Sequence, residues 1–119
     1  MQRLGYLGDW AAGQRGLASI TQSEDFRSTI CKAIEYCKVL DCPRIHVMAG
    51  RINQEEHHNA KELYFGNIIL ACKLCQEHGL QVFVEPICRA AIDGYFLNSY
   101  EQVEEMIKKG IKVALLLVC

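Results

Sequence analysis

No stretch of this chain stays apolar for the roughly 20 residues that a membrane-spanning helix needs, so no such span is expected. Lys and Arg are nowhere clustered and the net charge is −1, which argues against the basic surface of a nucleic-acid-binding protein. The glycine patterns that cradle phosphates, GxGxxG and the Walker loop, are missing. No linker, low-complexity tract or block of like charge divides residues 1–119, so a single domain is expected, with one modest core. Residues 1–6 lack the apolar centre of a secretory signal. Seven cysteines scattered among helix-like and strand-like segments therefore read as reduced thiols of a cytoplasmic protein, not as a disulfide framework. Proline occurs only twice, and each copy marks a boundary.

The second of these prolines closes the most informative stretch, Gln81-Val82-Phe83-Val84-Glu85-Pro86-Ile87. Apolar, β-favouring residues lead straight into a carboxylate, and Pro86 then stops the ladder because it has no N–H to donate. The proline also biases Glu85 towards extended backbone. Glu85 is thus expected at the C-terminal lip of a strand, the edge at which α/β folds bind ligands and place catalytic groups. A solvated acid at a strand end is the alternative.

In chain order, a glycine-studded loop comes first, Gly8 to Gly16, with Trp10 either packed on the domain surface or capping a pocket. Phe26, Ile30, Ala33, Ile34, Cys37 and Leu40 recur every three or four residues and predict an amphipathic helix over 24–40. Thr21 with Glu24, or Ser23 before two acids, supplies its start, and Cys42-Pro43 its end. Residues 44–50 form a nearly continuous apolar run closed by Gly50, as expected for a strand covered on both faces. A second helix is predicted over about 55–78, with Ala60, Tyr64, Ile68, Ala71, Cys75 and His78 on its stripe and Gly79 at its C-cap. After the Glu85 strand, residues 88–98 form a loop. Ser99 with Gln102 then predicts a capping box for a third helix, its Val103, Met106 and Ile107 facing inward. Gly110 stops that helix, and residues 111–119 make a third strand. The alternation implies a parallel sheet with right-handed crossovers.

Three other groupings carry less. Cys72-Lys73-Leu74-Cys75 has redox spacing but falls within a helix, away from the N-terminus that would lower a thiol pKa, so buried structural thiols are expected. His57-His58 reads as a solvated helix entry, not a metal site. His46 interrupts an apolar strand. Alternation aims it to the same side as Phe83 and Glu85, either as a core histidine bonded to a neighbour or as a substrate contact.

Taken together, the motifs at 8–16, 42–50, 84–87 and 94–99 resemble those of hydroxypyruvate isomerases, in the same order and spacing, from about Gly8 to Lys109. That family belongs to the xylose isomerase-like TIM barrels. The resemblance implies an α/β fold, a partial (β/α)8 barrel of about three parallel strands with covering helices. It further implies an intramolecular oxidoreductase of the aldose–ketose type, converting hydroxypyruvate to tartronate semialdehyde through an enediolate.

On the same resemblance, Glu85 matches the first of two catalytic glutamates, and it is also the candidate ligand for a divalent metal, Mg²⁺ or Mn²⁺. Trp10, Arg15 and His46 become candidate substrate contacts for a small hydroxy-oxo acid. The family pattern Glu-Pro-Ile-Asn-Thr-Arg is replaced here by Glu85-Pro86-Ile87-Cys88-Arg89-Ala90, and the likeness fades after Lys109. A closed barrel takes about 250 residues, so the chain is expected to be a central fragment with impaired turnover that self-associates through open sheet edges. Two other readings stay open. One is a non-catalytic fragment or interaction module of that family, and the other a small doubly wound α/β binding domain.

Overall fold

Three short strands and three helices alternate along the computed structural model, which describes residues 23–52, 57–88 and 90–115. The order is α1 (Ser23–Leu40), β1 (Arg44–His46), α2 (His57–Glu77), β2 (Gln81–Val84), α3 (Tyr100–Lys108) and β3 (Ala114–Leu115). The strands lie side by side as β1-β2-β3, all parallel. Lys61 of α2 meets Glu105 of α3 at 2.8 Å, so these two helices lie side by side, and the parallel sheet is an open arc and not a sandwich. No described helix is long and apolar enough to cross a membrane.

Register decides which side chains share a face. Ile45 pairs with Val82, and His46 with Phe83. Ile45, Val82 and Val84 are buried, facing a layer made by Phe26, Ile30 and Ala33 of α1 and Tyr64, Ile68 and Ala71 of α2. Removing each of these aliphatic chains from water contributes about 2 kcal/mol. The alternate positions, Arg44, His46, Phe83 and Glu85, point to the concave side. The Arg44 guanidinium sits 5.7 Å from the Phe83 ring centre, which fixes these two on the same face.

All three helices end in the same way. The N–H two residues beyond the cap donates back to a carbonyl five residues earlier: Cys42 to Cys37 at 3.0 Å, Leu80 to Cys75 at 2.8 Å, and Ile111 to Met106 at 3.1 Å. The turn needs one residue in the left-handed region. Gly79 (φ 70°) and Gly110 (φ 81°) take it in α2 and α3, while α1 uses Asp41 (φ 52°). At the start of α3 the expected capping box is present, the Gln102 side chain accepting from the Ser99 N–H at 3.1 Å. Three residues assigned to buried stripes are exposed: Leu40, His78 and Ile107. Leu40 and His78 sit at helix ends, beyond the part that covers the sheet, and Ile107 is on the outer flank of a short helix. The first two strands are also shorter than the apolar runs that announced them, because each run continues into loop pairing.

That loop pairing shapes the lip where β1 and β2 end. The Phe96 N–H donates to the Gly50 carbonyl (2.9 Å), the Ile52 N–H to Gly94 (2.8 Å) and the Ile87 N–H to Leu97 (2.9 Å). The Tyr95 hydroxyl accepts from the Ala49 N–H at 2.8 Å, fully inside the protein. Gly94 has φ 75°, and a Cβ there would lie 3.0 Å from the Ile52 carbonyl oxygen, so this crossing needs glycine. Behind it, Tyr64 of α2 packs its ring 5.1 Å from that of Phe96.

Two stability predictions follow from these contacts. Asp41→Gly relieves a left-handed non-glycine residue and removes a negative charge from a helix C-terminus, for an expected gain of roughly 0.5–1 kcal/mol in denaturant unfolding. Tyr95→Phe keeps the ring and deletes the acceptor for a buried N–H, with an expected loss of about 1–3 kcal/mol. Equal stability of Tyr95→Phe and the parent would show that the clamp contributes nothing.

Candidate active site

Glu85 follows directly on the last residue of β2 and is 6% exposed. Its carboxylate Oε1 lies 3.6 Å from Nε2 of His46, whose side chain has no exposure. This spacing is longer than a hydrogen bond but within ion-pair range when the imidazole carries two protons. A carboxylate so far out of water is costly unless a partner of opposite charge or a donor faces it. The two residues come together because register sets His46 opposite Phe83, and Glu85 stands two residues further along the same face. The strand-end corner at Pro86 and the Ile87–Leu97 hydrogen bond then hold the acid in place.

The lip is built from three segments. β1 continues into buried Val47, Met48 and Ala49, and β2 into Glu85. The 93–97 crossing is stitched to both and carries buried Tyr95, Phe96 and Leu97. On its outside, the Arg51 Nε–H donates to the Asp93 carbonyl at 2.8 Å. The stitching role of Tyr95 and Arg51 was not anticipated; Gly94 beside two aromatic residues was its only local sign. Trp10, Arg15 and the rest of the 8–16 loop lie outside the described residues, as do residues 53–56, Arg89 and residues 116–119. Cys88, which stands where the resembled motif carries a polar residue, is exposed.

The remaining candidates separate from this site. Burial pushes the Cys72 thiol up to about 11, and burial together with Cys72 and Cys37 pushes Cys75 up to about 12. Such thiols are protonated at neutral pH and poor nucleophiles. The Cys72 S–H points at the Lys112 carbonyl, 3.4 Å away. A cavity of about 660 Å³ opens at the other end of the sheet, between the last turns of α2 and the turn that follows α3. In barrels that N-terminal edge serves stability, and chemistry gathers at the C-terminal lip, where Glu85 stands. Among the described residues no three His, Cys, Asp or Glu side chains converge as a metal cage. Glu85 offers one carboxylate, two oxygens at most, well short of the roughly six donors that Mg²⁺ or Mn²⁺ takes, so these residues alone do not make up a metal site.

Residues 5–113 match the model of the xylose isomerase-like TIM barrel family. Over 104 residues the chain is 40% identical to a 2-oxo-tetronate isomerase of Cupriavidus necator, covering 86% of this chain and 40% of that protein. It is 29% identical over 106 residues to the hydroxypyruvate isomerase of Escherichia coli, covering 84% of this chain and 40% of that one. Among solved structures, the family 2 AP endonuclease of Brucella melitensis superposes with a TM-score of 0.83 at 32% identity, covering 92% of this chain and 44% of that chain. The chain thus spans about 40% of the length of the curated relatives it matches. A three-stranded parallel arc with a buried acid at its C-terminal lip is what a segment of such a barrel looks like, and the chain belongs to the xylose isomerase-like TIM barrel family.

Proposed function

We propose that this chain supplies one of the two acid–base groups of a hydroxypyruvate isomerase, an intramolecular oxidoreductase acting on a small hydroxy-oxo acid. The observation that carries this reading is the buried Glu85 carboxylate on the concave side, 3.6 Å from buried His46, in a chain related to isomerases of such acids. A net charge of −1 without a basic cluster favours a small acid over a nucleic acid as the ligand. No disulfide joins the six described cysteines, which suits a reducing, cytoplasmic setting.

The chemistry assigned to Glu85 is removal of a proton from the hydroxyl-bearing carbon next to the substrate carbonyl. The electron pair left behind forms the enediolate. Return of a proton to the former carbonyl carbon, with transfer of the hydroxyl proton between the two oxygens, gives the aldehyde. Carbon acids of this kind are weak, so the base must be fixed in place and shielded from water. The 93–97 crossing and the Pro86 corner supply the fixing, and the low exposure of the lip supplies the shielding. His46 would hold the carboxylate's orientation or donate to a substrate oxygen. Trp10 and Arg15 are proposed as further substrate contacts. A divalent metal, where one is used, would neutralise the developing oxyanion, with Glu85 as one of its ligands and the others coming from outside the described residues.

Turnover requires a second group on the opposite side of the substrate, and the described lip offers one buried carboxylate. The isolated 119-residue chain is therefore expected to show no appreciable hydroxypyruvate isomerisation, with or without Mg²⁺ or Mn²⁺. A chimera tests the assignment directly: residues 5–113 replace the matching segment of the Escherichia coli hydroxypyruvate isomerase. Glu85→Gln in that chimera is expected to lower kcat about 10²- to 10⁴-fold with little change in KM. His46→Gln is expected to cost about 10- to 100-fold through loss of orientation. An active chimera that keeps its rate as Glu85→Gln would remove the residue from the chemistry.

A further inference from the structure

The shared ending of the three helices brings two side chains together each time, those of the residues joined by the long backbone hydrogen bond. In α2 the pair is Cys75 and Leu80, and in α3 it is Met106 and Ile111. In α1 both positions are cysteines, Cys37 and Cys42. The 3.0 Å bond between the Cys42 N–H and the Cys37 carbonyl limits their Cα separation to about 7 Å, inside the reach of a disulfide. The two sulfurs already aim at one point: Cys42 Sγ lies 3.4 Å and Cys37 Sγ 3.9 Å from the Arg44 carbonyl oxygen. No other described helix end carries this pairing.

We propose that Cys37 and Cys42 are a redox modification site, closing to a reversible disulfide when the protein meets a peroxide or a low-molecular-weight disulfide. The two thiols have different roles. Cys42 is partly exposed and Cys37 only 1% exposed, so the oxidant reaches Cys42 first. With hydrogen peroxide, the Cys42 thiolate attacks one oxygen, the O–O bond breaks, and one water leaves a sulfenic acid behind. The Cys37 sulfur then attacks the Cys42 sulfur and expels the hydroxyl as a second water. Two thiols lose two protons and two electrons, and one peroxide takes them up to become two waters. With a low-molecular-weight disulfide, two successive exchanges release its two thiols. Burial and the neighbouring Cys42 sulfur raise the Cys37 pKa, which disfavours it for first attack. The closed ring is short, so the bond adds little stability and reopens readily in a thiol buffer. Burial keeps the Cys72 and Cys75 thiols protonated at neutral pH, and they take no part.

The experiment treats the folded chain with hydrogen peroxide, and separately with glutathione disulfide, blocks remaining thiols with an alkylating agent, and maps all seven cysteines by non-reducing tryptic digestion. Lys38 lies between the two cysteines, so the bond joins two tryptic peptides that separate on reduction. The expected product is a chain with no disulfide to another chain, lighter by about 2 Da before alkylation, carrying the 37–42 linkage and restored by dithiothreitol. Cys42→Ser should abolish the linkage, while Cys31→Ser and Cys88→Ser, at exposed thiols, should leave it intact. Circular dichroism confirms that each variant is folded. A product with Cys42 glutathionylated or overoxidised and Cys37 still free would overturn the proposal, as would a linkage between any other pair.

Discussion

The parallel ladder between β1 and β2 is the constraint on which the rest depends. Its register puts His46 across from Phe83, and a strand's alternation then carries Glu85 to the same side two residues later. A slip of β2 by one residue would turn the carboxylate into the helix layer and expose Val82 and Val84 on the concave side. The apolar burial that stabilises the sheet on α1 and α2 is therefore the same quantity that aims the acid. Loops alone do not position it. The 93–97 crossing fixes an orientation that the register has already chosen.

Much of this was legible because the signals are local. Pro86 announces the end of β2 and puts Glu85 at the lip. Ser99 with Gln102 announces α3, and Gly79 and Gly110 announce helix ends. What was illegible depends on where elements meet. Spacing groups Leu40, His78 and Ile107 with the buried stripes, but spacing carries no information about where the sheet stops covering a helix. The end of α1 is announced by Cys42-Pro43 and not by a glycine, because Asp41 occupies the left-handed position that glycine usually marks. The Tyr95 clamp joins residues 46 apart in sequence, and no short-range pattern encodes that meeting. The register that unites His46 with Glu85 was inferable only after both strands were known to be parallel neighbours.

The family match and the open arc bear on each other. A chain that spans about 40% of its curated relatives carries part of a barrel wall, and the acid at its lip faces the side that a barrel encloses. The fold and the family follow from the sheet and the matches. The reaction rests on a narrower base, the placement of one buried carboxylate and one buried imidazole. These are chemistry-bearing groups held where a substrate would be enclosed, and proton transfer at carbon is the task for which a fixed, shielded carboxylate is suited.

The most direct test of that claim follows the hydrogen itself. Hydroxypyruvate is turned over in D₂O by the chimera carrying residues 5–113, and the product is read by NMR early in the reaction against an enzyme-free control. Proton removal by Glu85 and return by a second group predict deuterium from solvent at the carbon that was the carbonyl, with the signal lost in Glu85→Gln. Product that retains the substrate's own hydrogen at that carbon would instead mean a direct shift, or carriage by a single base without exchange, and either contradicts the account of two opposed groups.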